Sequence, residues 1–405
     1  MDADAILAAL FTEQGRTDPY PFYTALHELG RISSVTPAAA SYVAVVNGYD
    51  QVDQVLRDPA FLKQPGRADW EEHPVLAVLQ RSMMFSNPPE HAHRRKVFQQ
   101  VFTPRRVAEL EPKIHQIVGK LLDRMAELGD GGAPVDFISE FAYPLPTQVV
   151  GELLGIPLDD LGWFRERVER IDAYLDLAGK TPEILAAADA AATELSEYYA
   201  GLIAQRRADP LDDLVSALVQ AMDAGDEPLT DPELVSNLVV LFNASFVTTI
   251  NLLGNGLPPL LARPDLVEAL PGDAALASAC VEEVLRYDSS VQFLARAASV
   301  DTVVGELPIV AGSNVLLLLG AANRDPRRYP DPDAFDPSRP DIKPVSFGAG
   351  AHYCLGAALS RAEGRIAFQG LFERFPSLSL ATEPVRSEQF LLRGYSEIPV
   401  VLNAS

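Results

Sequence analysis

Between Leu234 and Ala262 the chain carries no charged residue. As a helix, such a stretch is long enough to cross a bilayer. Its polar content argues otherwise. Asn237, Asn243, Ser245, Thr248, Thr249, Asn251 and Asn255 fall inside it, followed by Pro258 and Pro259, and apart from the single Arg263 no cluster of basic anchors flanks it. Amides are costly in lipid. The other home for an apolar helix of this length is the centre of a large α-rich protein, surrounded by other helices. Pro232 opens the helix, with Asp231 as its expected cap.

The rest of the chain supplies the surrounding helices. Apolar residues recur at helical spacing over Arg105–Ala126, Pro146–Leu154, Pro182–Gln205, Leu211–Met222 and Ala274–Tyr287. Strand signals are fewer: Tyr42–Val46, which ends at the Asn47-Gly48 turn pair, short runs within Ala297–Leu319, and a strand pair within Phe390–Leu402. Much helix with small separate β patches predicts a mainly α, α-rich α+β fold. No linker, repeat or low-complexity block divides the 405 residues, so a single domain over 1–405 is expected. Asp325–Pro344 is rich in Pro and Asp and lacks periodicity, a long coil of the kind that places something.

The formal charge of −23 repels phosphate backbones and anionic membranes, which argues against nucleic-acid or membrane partners. Two cysteines, Cys280 and Cys354, cannot form a disulfide framework and suit a reducing cytoplasm. The opening MDADAILAALFTEQG has acids where an export signal has bases, so neither export nor an N-terminal anchor is expected.

After the coil comes FGAGAHYCLG, residues 347–356. A thiolate iron ligand needs hydrogen-bond donors and a positive field at its sulfur. Gly348 and Gly350 permit a tight loop, and the helical pattern beyond it puts Cys354 at a helix N-terminus, where the dipole favours an anion. Gly356 leaves room for a flat macrocycle, Phe347 can cover the sulfur, and His352 can reach a carboxylate.

The whole string resembles the haem-binding signature F-G-x-G-x-H-x-C-x-G of the cytochrome P450 family. The resemblance extends from about Asp18 to Pro399. It implies haem b with Cys354 as axial ligand, and electron donation from the thiolate that favours O–O cleavage. His91 and Arg95, in PPEHAHRRKVF, and Arg296, in QFLARAA, match the family's haem-propionate partners. Glu283 and Arg286 match its structural acid–base pair, and Arg339, in FDPSRP, matches the arginine that joins that pair. The family fold is a triangular helical prism with small sheets, the haem lying between the central helix and the cysteine-loop helix. The implied activity is that of a soluble bacterial monooxygenase acting on paired donors with molecular oxygen.

One departure matters. Where most members carry A-G-x-[Asp/Glu]-Thr, this chain reads Ala244-Ser245-Phe246-Val247-Thr248. The family's acid and alcohol organise the water that delivers protons during oxygen activation, and valine cannot relay a proton. Three readings stay open. Hydroxylation or epoxidation continues, with Ser245, Thr248, Asn251 or a substrate group ordering the water. Slow protonation favours a non-hydroxylating outcome. Or the protein is a peroxygenase-like or ligand-binding relative.

With too few cysteines for a cluster, electrons are expected from a ferredoxin and its reductase, docked on the basic cluster Arg94, Arg95, Lys96, Arg105 and Arg106. By family placement, pocket walls come from about 62–86, 160–190, 240–248, 290–295 and 389–393. Phe85, Phe246, Val247, Val291, Phe293, Leu391 and Leu392 imply an apolar small molecule, with Gln292 and Arg393 as candidates to orient a polar group. The sequence style resembles tailoring enzymes of polyketides, macrolides or carrier-bound acyl chains in antibiotic and other secondary metabolism, which adds an acyl or peptidyl carrier protein as a possible partner.

Overall fold

The computed structural model describes residues 1–36, 42–63, 69–176, 181–224 and 228–402. Residues 64–68 and 177–180, inside two of the segments expected to wall a pocket, lie outside the described residues. The chain divides into two compact units, residues 1–64, 118–143 and 248–405, and residues 65–117 and 144–247.

The expected helices form as Pro104–Leu128, Pro144–Leu154, Pro182–Ala208, Leu214–Asp223 and Ala274–Tyr287. The fourth starts later than its apolar pattern because Asp213 caps it, its carboxylate accepting from Ser216 N at 2.7 Å. The uncharged stretch is one helix, Asp231–Leu261, called the central helix below. Its cap is Thr230, not Asp231. Thr230 Oγ1 accepts from Glu233 N at 3.4 Å, while Glu233 Oε2 accepts from Thr230 N at 2.9 Å, a reciprocal box one residue earlier than the expected cap. The helix is long and apolar enough to span a membrane, yet 67% of its most apolar stretch is buried within the protein.

The larger unit contains a five-stranded sheet in the order Ile32–Ser34, Tyr42–Val46, Asn314–Leu318, Phe293–Ala298, Phe61–Leu62. Only the Tyr42–Val46/Asn314–Leu318 pairing is parallel. The expected tail pair is replaced by two separate pairings. Tyr395–Glu397 pairs with Val385–Arg386, and Pro399–Val401 lies between Val135–Asp136 and Ser379–Leu380. No regular element interrupts Asp325–Pro344.

Three helices of this unit meet at two glycines. A Cβ on Gly256 would lie 2.5 Å from Phe368 Cζ and 3.0 Å from Val284 Cγ2. One on Gly364 would lie 3.0 Å from Val281 Cγ2 and 3.3 Å from Leu252 Cδ2. The second half of the central helix, helix Ala274–Tyr287 and helix Ala357–Arg374 are thereby held at a spacing no larger residue permits. Here too the helix amides find partners. Asn251 Nδ2 donates to Ser290 Oγ and Leu392 O, and Asn255 Nδ2 to Asp288 O and Arg393 O, all within 3.2 Å. The Thr249 hydroxyl lies 3.3 Å from Ser360 Oγ and beside the fully buried Glu363, whose carboxyl is pushed up to about 8 by burial.

Glu283 and Arg286 are fully buried, joined by two contacts of 2.7 Å. Arg286 also donates to Asn323 O, Pro332 O and Ala334 O, so the pair binds the long coil. Arg339 Nε reaches Glu283 Oε1 at 3.3 Å, and Asp336 N donates to the same oxygen at 2.8 Å.

The smaller unit is helical. Pro182–Ala208 packs against Leu161–Leu175 and Pro74–Arg81. An aromatic cluster of Trp163, Phe164, Tyr198, Tyr199, Phe242 and Phe246 joins two of these helices to the first half of the central helix. Asn237 is satisfied in this half, accepting from Met83 N at 2.8 Å and donating to Glu233 O at 2.7 Å.

Two stability measurements follow. Arg286→Met, which strands a buried carboxylate, lowers unfolding free energy by about 3–5 kcal/mol in urea melts. Glu363 binds its proton more tightly folded than unfolded. Its contribution is therefore complete below about pH 4.5 and is lost as pH rises toward 8. The wild type loses up to roughly 1.4 kcal/mol per pH unit from this group across that window. Glu363→Gln is expected to flatten that slope, and an unchanged slope in urea melts across the window refutes the assignment.

Candidate active site

The cysteine loop is built from backbone. Gly348 and Gly350 take φ of 68° and 67°. A Cβ on Gly350 would also lie 2.5 Å from Leu56 O, so that position needs glycine twice over, for its conformation and for its space. Cys354 N donates to Phe347 O at 2.9 Å, closing the loop. Helix Ala357–Arg374 begins with Gly356 as its cap residue, two residues beyond the cysteine. Cys354 therefore precedes the helix N-terminus closely instead of lying within its first turn.

Cys354 is exposed, whereas Cys280 is buried, its thiol pushed up to about 12 by burial. Of the two, Cys354 is the one at the surface. Gly356 has φ −81°, which any residue adopts, and the nearest heavy atom to a Cβ there is Cys354 Sγ, at 4.0 Å. The glycine thus provides space beside the sulfur, not a turn. The Phe347 ring lies edge-on to Tyr353, and the Arg361 guanidinium sits 4.6 Å from its centroid. His352 is half-buried in the same loop.

Arg296 lies on strand Phe293–Ala298 and is 2% exposed. Its one side-chain hydrogen bond runs to Ala295 O at 2.9 Å, and among the described residues no acid pairs with it. Burial pulls its proton affinity down to about 10, and burial together with the Arg296 charge brings Lys63, just past strand Phe61–Leu62, down to about 7. A buried cation in this state calls for an anion. In the other unit His91 is buried and Arg95 half-buried, one turn apart on helix Glu90–Val101. An iron macrocycle with acidic side groups fits the donor set of the larger unit. That unit offers an exposed thiol with space beside it and a buried guanidinium that no acid pairs with among the described residues.

The middle of the central helix is partly open. Asn243, Ala244, Ser245, Val247 and Thr248 are half-buried, while Leu241, Phe242, Thr249 and Ile250 around them are buried. Ser245 Oγ donates to Leu241 O. Val247 occupies the acid's place with an apolar side chain.

Several expectations for the pocket change. Phe293 is 4% exposed and packs with Phe11 and Phe390 in a core that includes Ile6, Leu10 and Leu26, so it is a core residue. The Phe246 ring is buried against Phe242. Gln292 is fully buried, accepting from Tyr23 OH and donating to Ser289 O, and Arg393 is bound to Asp288, Arg16 O and Thr17 O. Neither is available to orient a substrate. Phe85, Val291, Leu391 and Leu392 are half-buried, and Val291 and Leu392 form an isolated bridge. The basic cluster is largely neutralised: Arg94 is buried against Glu233 at 3.0 Å, Arg105 meets Glu109 at 2.9 Å, and Arg106 lies 3.7 Å from Asp212.

Sequence reasoning passed over Asp172, Asn243, Glu363 and Lys63. The two acids were visible as charges interrupting apolar helix stripes. Asp172 follows Leu161, Phe164 and Val168, and Glu363 lies between Leu359 and Ile366.

Comparison with known proteins agrees with the loop. The family model "Cytochrome P450" matches residues 7–394. Cytochrome P450 monooxygenase PikC of Streptomyces venezuelae is 37% identical over 95% of this chain and 91% of its own length. The 6-deoxyerythronolide B hydroxylase of Saccharopolyspora erythraea is 35% identical over 94% of this chain and 96% of its own. Among solved structures, P450BioI in complex with an acyl carrier protein ligated to hexadec-9Z-enoic acid superposes with a TM-score of 0.88 at 32% identity, covering 96% of this chain and 100% of that one. With the thiol loop, the match across nearly the whole chain and the shared fold in agreement, this chain belongs to the cytochrome P450 family and is a haem-dependent monooxygenase.

Proposed function

We propose that the chain hydroxylates or epoxidises a largely apolar small molecule of bacterial secondary metabolism, a polyketide, macrolide or carrier-bound acyl chain. It does so as one catalytic domain in the cytoplasm, with haem b and electrons from a ferredoxin and its reductase. The observation that carries this reading is the exposed Cys354 thiol, closed into a glycine loop ahead of helix Ala357–Arg374. The substrate class draws support from the relative named for 6-deoxyerythronolide B and from the neighbour solved with a loaded acyl carrier protein. If this chain also takes a carrier-bound substrate, an acyl carrier protein is its second protein partner.

When bound, haem supplies the redox chemistry that activates dioxygen. The chain's own residues do the rest. Cys354 is the iron ligand, and Phe347, Gly348 and Gly356 shape its surroundings. Arg296, His91, Arg95 and His352 neutralise the cofactor's carboxylates by charge-assisted hydrogen bonds. Thr248 and Ser245 hold the proton-bearing water beside Ala244, because Val247 has no proton to give. Phe85, Val291, Leu391 and Leu392 supply apolar contacts. Since Arg94, Arg105 and Arg106 already have acidic partners, ferredoxin docking relies less on steering by this cluster than the sequence suggests.

Cys354→Ala is expected to abolish the thiolate spectrum of the reduced carbonyl complex while leaving the far-UV helix signal intact. A preserved thiolate spectrum ends this reading. Val247→Glu tests the proton route. Product formed per NADPH consumed rises several-fold if slow protonation limits the native enzyme, and stays level if Thr248 and Ser245 suffice. A proton route through those two hydroxyls predicts the level outcome. A many-fold rise favours the second reading, in which this chain is a weak or non-hydroxylating member.

A further inference from the structure

The five-stranded sheet of the larger unit carries a row of facing residues that ends in two cations. Ala44 pairs with Val315, and Val315 with Arg296. At the edge, Phe61 pairs with Ala298 and Leu62 with Ala297. Continuing that antiparallel register by one residue sets Lys63 opposite Arg296. Residues opposite each other across strands share a face of the sheet. The row therefore runs Ala44, Val315, Arg296, Lys63, and turns from apolar to cationic at the sheet edge. All four residues belong to the larger unit.

The cysteine loop is seated on this same face. Two residues along their strands, Phe61 and Ala298 share the face of Lys63 and Arg296. Both pack in one core cluster with Val315, Leu56, Val345 and Ala349. Ala349 lies inside the cysteine loop and Val345 just before it. Gly350, the next residue, closes on Leu56 so tightly that a Cβ would lie 2.5 Å from its carbonyl oxygen. The two cations are thus the row of the sheet next to the one that packs with the thiol loop.

Such a row is costly as it stands. Cations directly opposite each other across a strand pair repel. Arg296 is 2% exposed, and its one side-chain hydrogen bond runs to Ala295 O. Lys63 is half-buried, and burial together with the Arg296 charge works against its own charge. An anion shared by both removes the repulsion and satisfies the buried guanidinium in one step. A carboxylate suits this, since its two oxygens accept an arginine fork and an ammonium at once.

We propose that Lys63 is a further cofactor-binding residue, which together with Arg296 clasps one carboxylate of the haem from the edge of this sheet. Arg296 supplies the planar fork that fixes direction, and Lys63 a point charge on a long stem. This inference deepens the haem-thiolate reading above and rests on it.

The test follows how fast the ferric holoenzyme gives up its cofactor to excess apomyoglobin. It is run with haem and with haem dimethyl ester, whose side groups carry no charge. Lys63→Met is expected to lose haem about tenfold faster than the wild type. Lys63→Arg, which keeps the charge, stays within about twofold of the wild type. With the diester, Lys63→Met and wild type agree within about twofold, because the lysine then has no anion to hold. The ferric–ferrous midpoint potential of Lys63→Met falls, since a cation near the iron is gone, and Lys63→Arg restores it. Equal haem loss from Lys63→Met and wild type overturns the proposal. So does an acceleration as large with the diester as with haem, which makes Lys63 a structural residue only. A wild type that takes up no haem ends the haem-thiolate reading, and this inference with it.

Discussion

A carboxylate and a guanidinium with no exposure to water, Glu283 and Arg286, anchor the coil that leads to the larger unit's cysteine loop. The pair is made within one helix, yet most of its remaining hydrogen bonds go to coil. Arg286 takes carbonyls from Asn323, Pro332 and Ala334, and Glu283 takes Asp336 N and Arg339. Asn323 then carries the connection forward. Its Nδ2 donates to Ser289 Oγ and Ser346 Oγ, and its Oδ1 accepts from Val345 N at 2.8 Å. Phe347 and the cysteine loop come next. A long coil with no secondary structure is thus fixed by charge-assisted bonds to one helix, and the thiol's position follows from them.

The central helix shows how polar groups are managed in an apolar element. Its amides bind loop carbonyls and hydroxyls that have no regular partner of their own: Leu392 and Arg393 from the tail, Asp288 and Ser290 from the turn after helix Ala274–Tyr287. These side chains therefore act as fasteners for loops, which is how an otherwise apolar helix accommodates them. Between Leu234 and Leu257 the half-buried residues of the helix are Asn243, Ala244, Ser245, Val247 and Thr248.

Helix positions and the thiol loop were legible in the sequence because both are local. Periodicity marks a helix face, and glycine spacing marks a loop that must turn tightly around a sulfur. The α-rich fold and family followed from the same strings. What was not legible depends on contacts between distant segments. The tail strands pair with segments far away in the chain, not with each other. Phe293 looked like a pocket residue until Phe11 and Phe390 enclosed it. Arg94, Arg105 and Arg106 looked like a docking patch until Glu233, Glu109 and Asp212 came beside them. Residue type and order cannot report such neighbours. Asp172 and Glu363 were partly legible, as acids on stripes that should be apolar, but their surroundings were not.

The glycine contacts at Gly256 and Gly364 divide the central helix by what it can tolerate. Beyond Thr249 it is wedged against two neighbours so closely that an added methyl at Gly256 displaces an aromatic ring. Just before Thr249, at Asn243, Ala244, Ser245, Val247 and Thr248, its residues are half-buried, and Ser245 and Val247 differ from family habit. One element therefore has a tightly wedged half, tied to the helix that follows Cys354, and a short stretch from Asn243 to Thr248 with more room for change. The helix is in that sense a fixed mount carrying an exchangeable fitting.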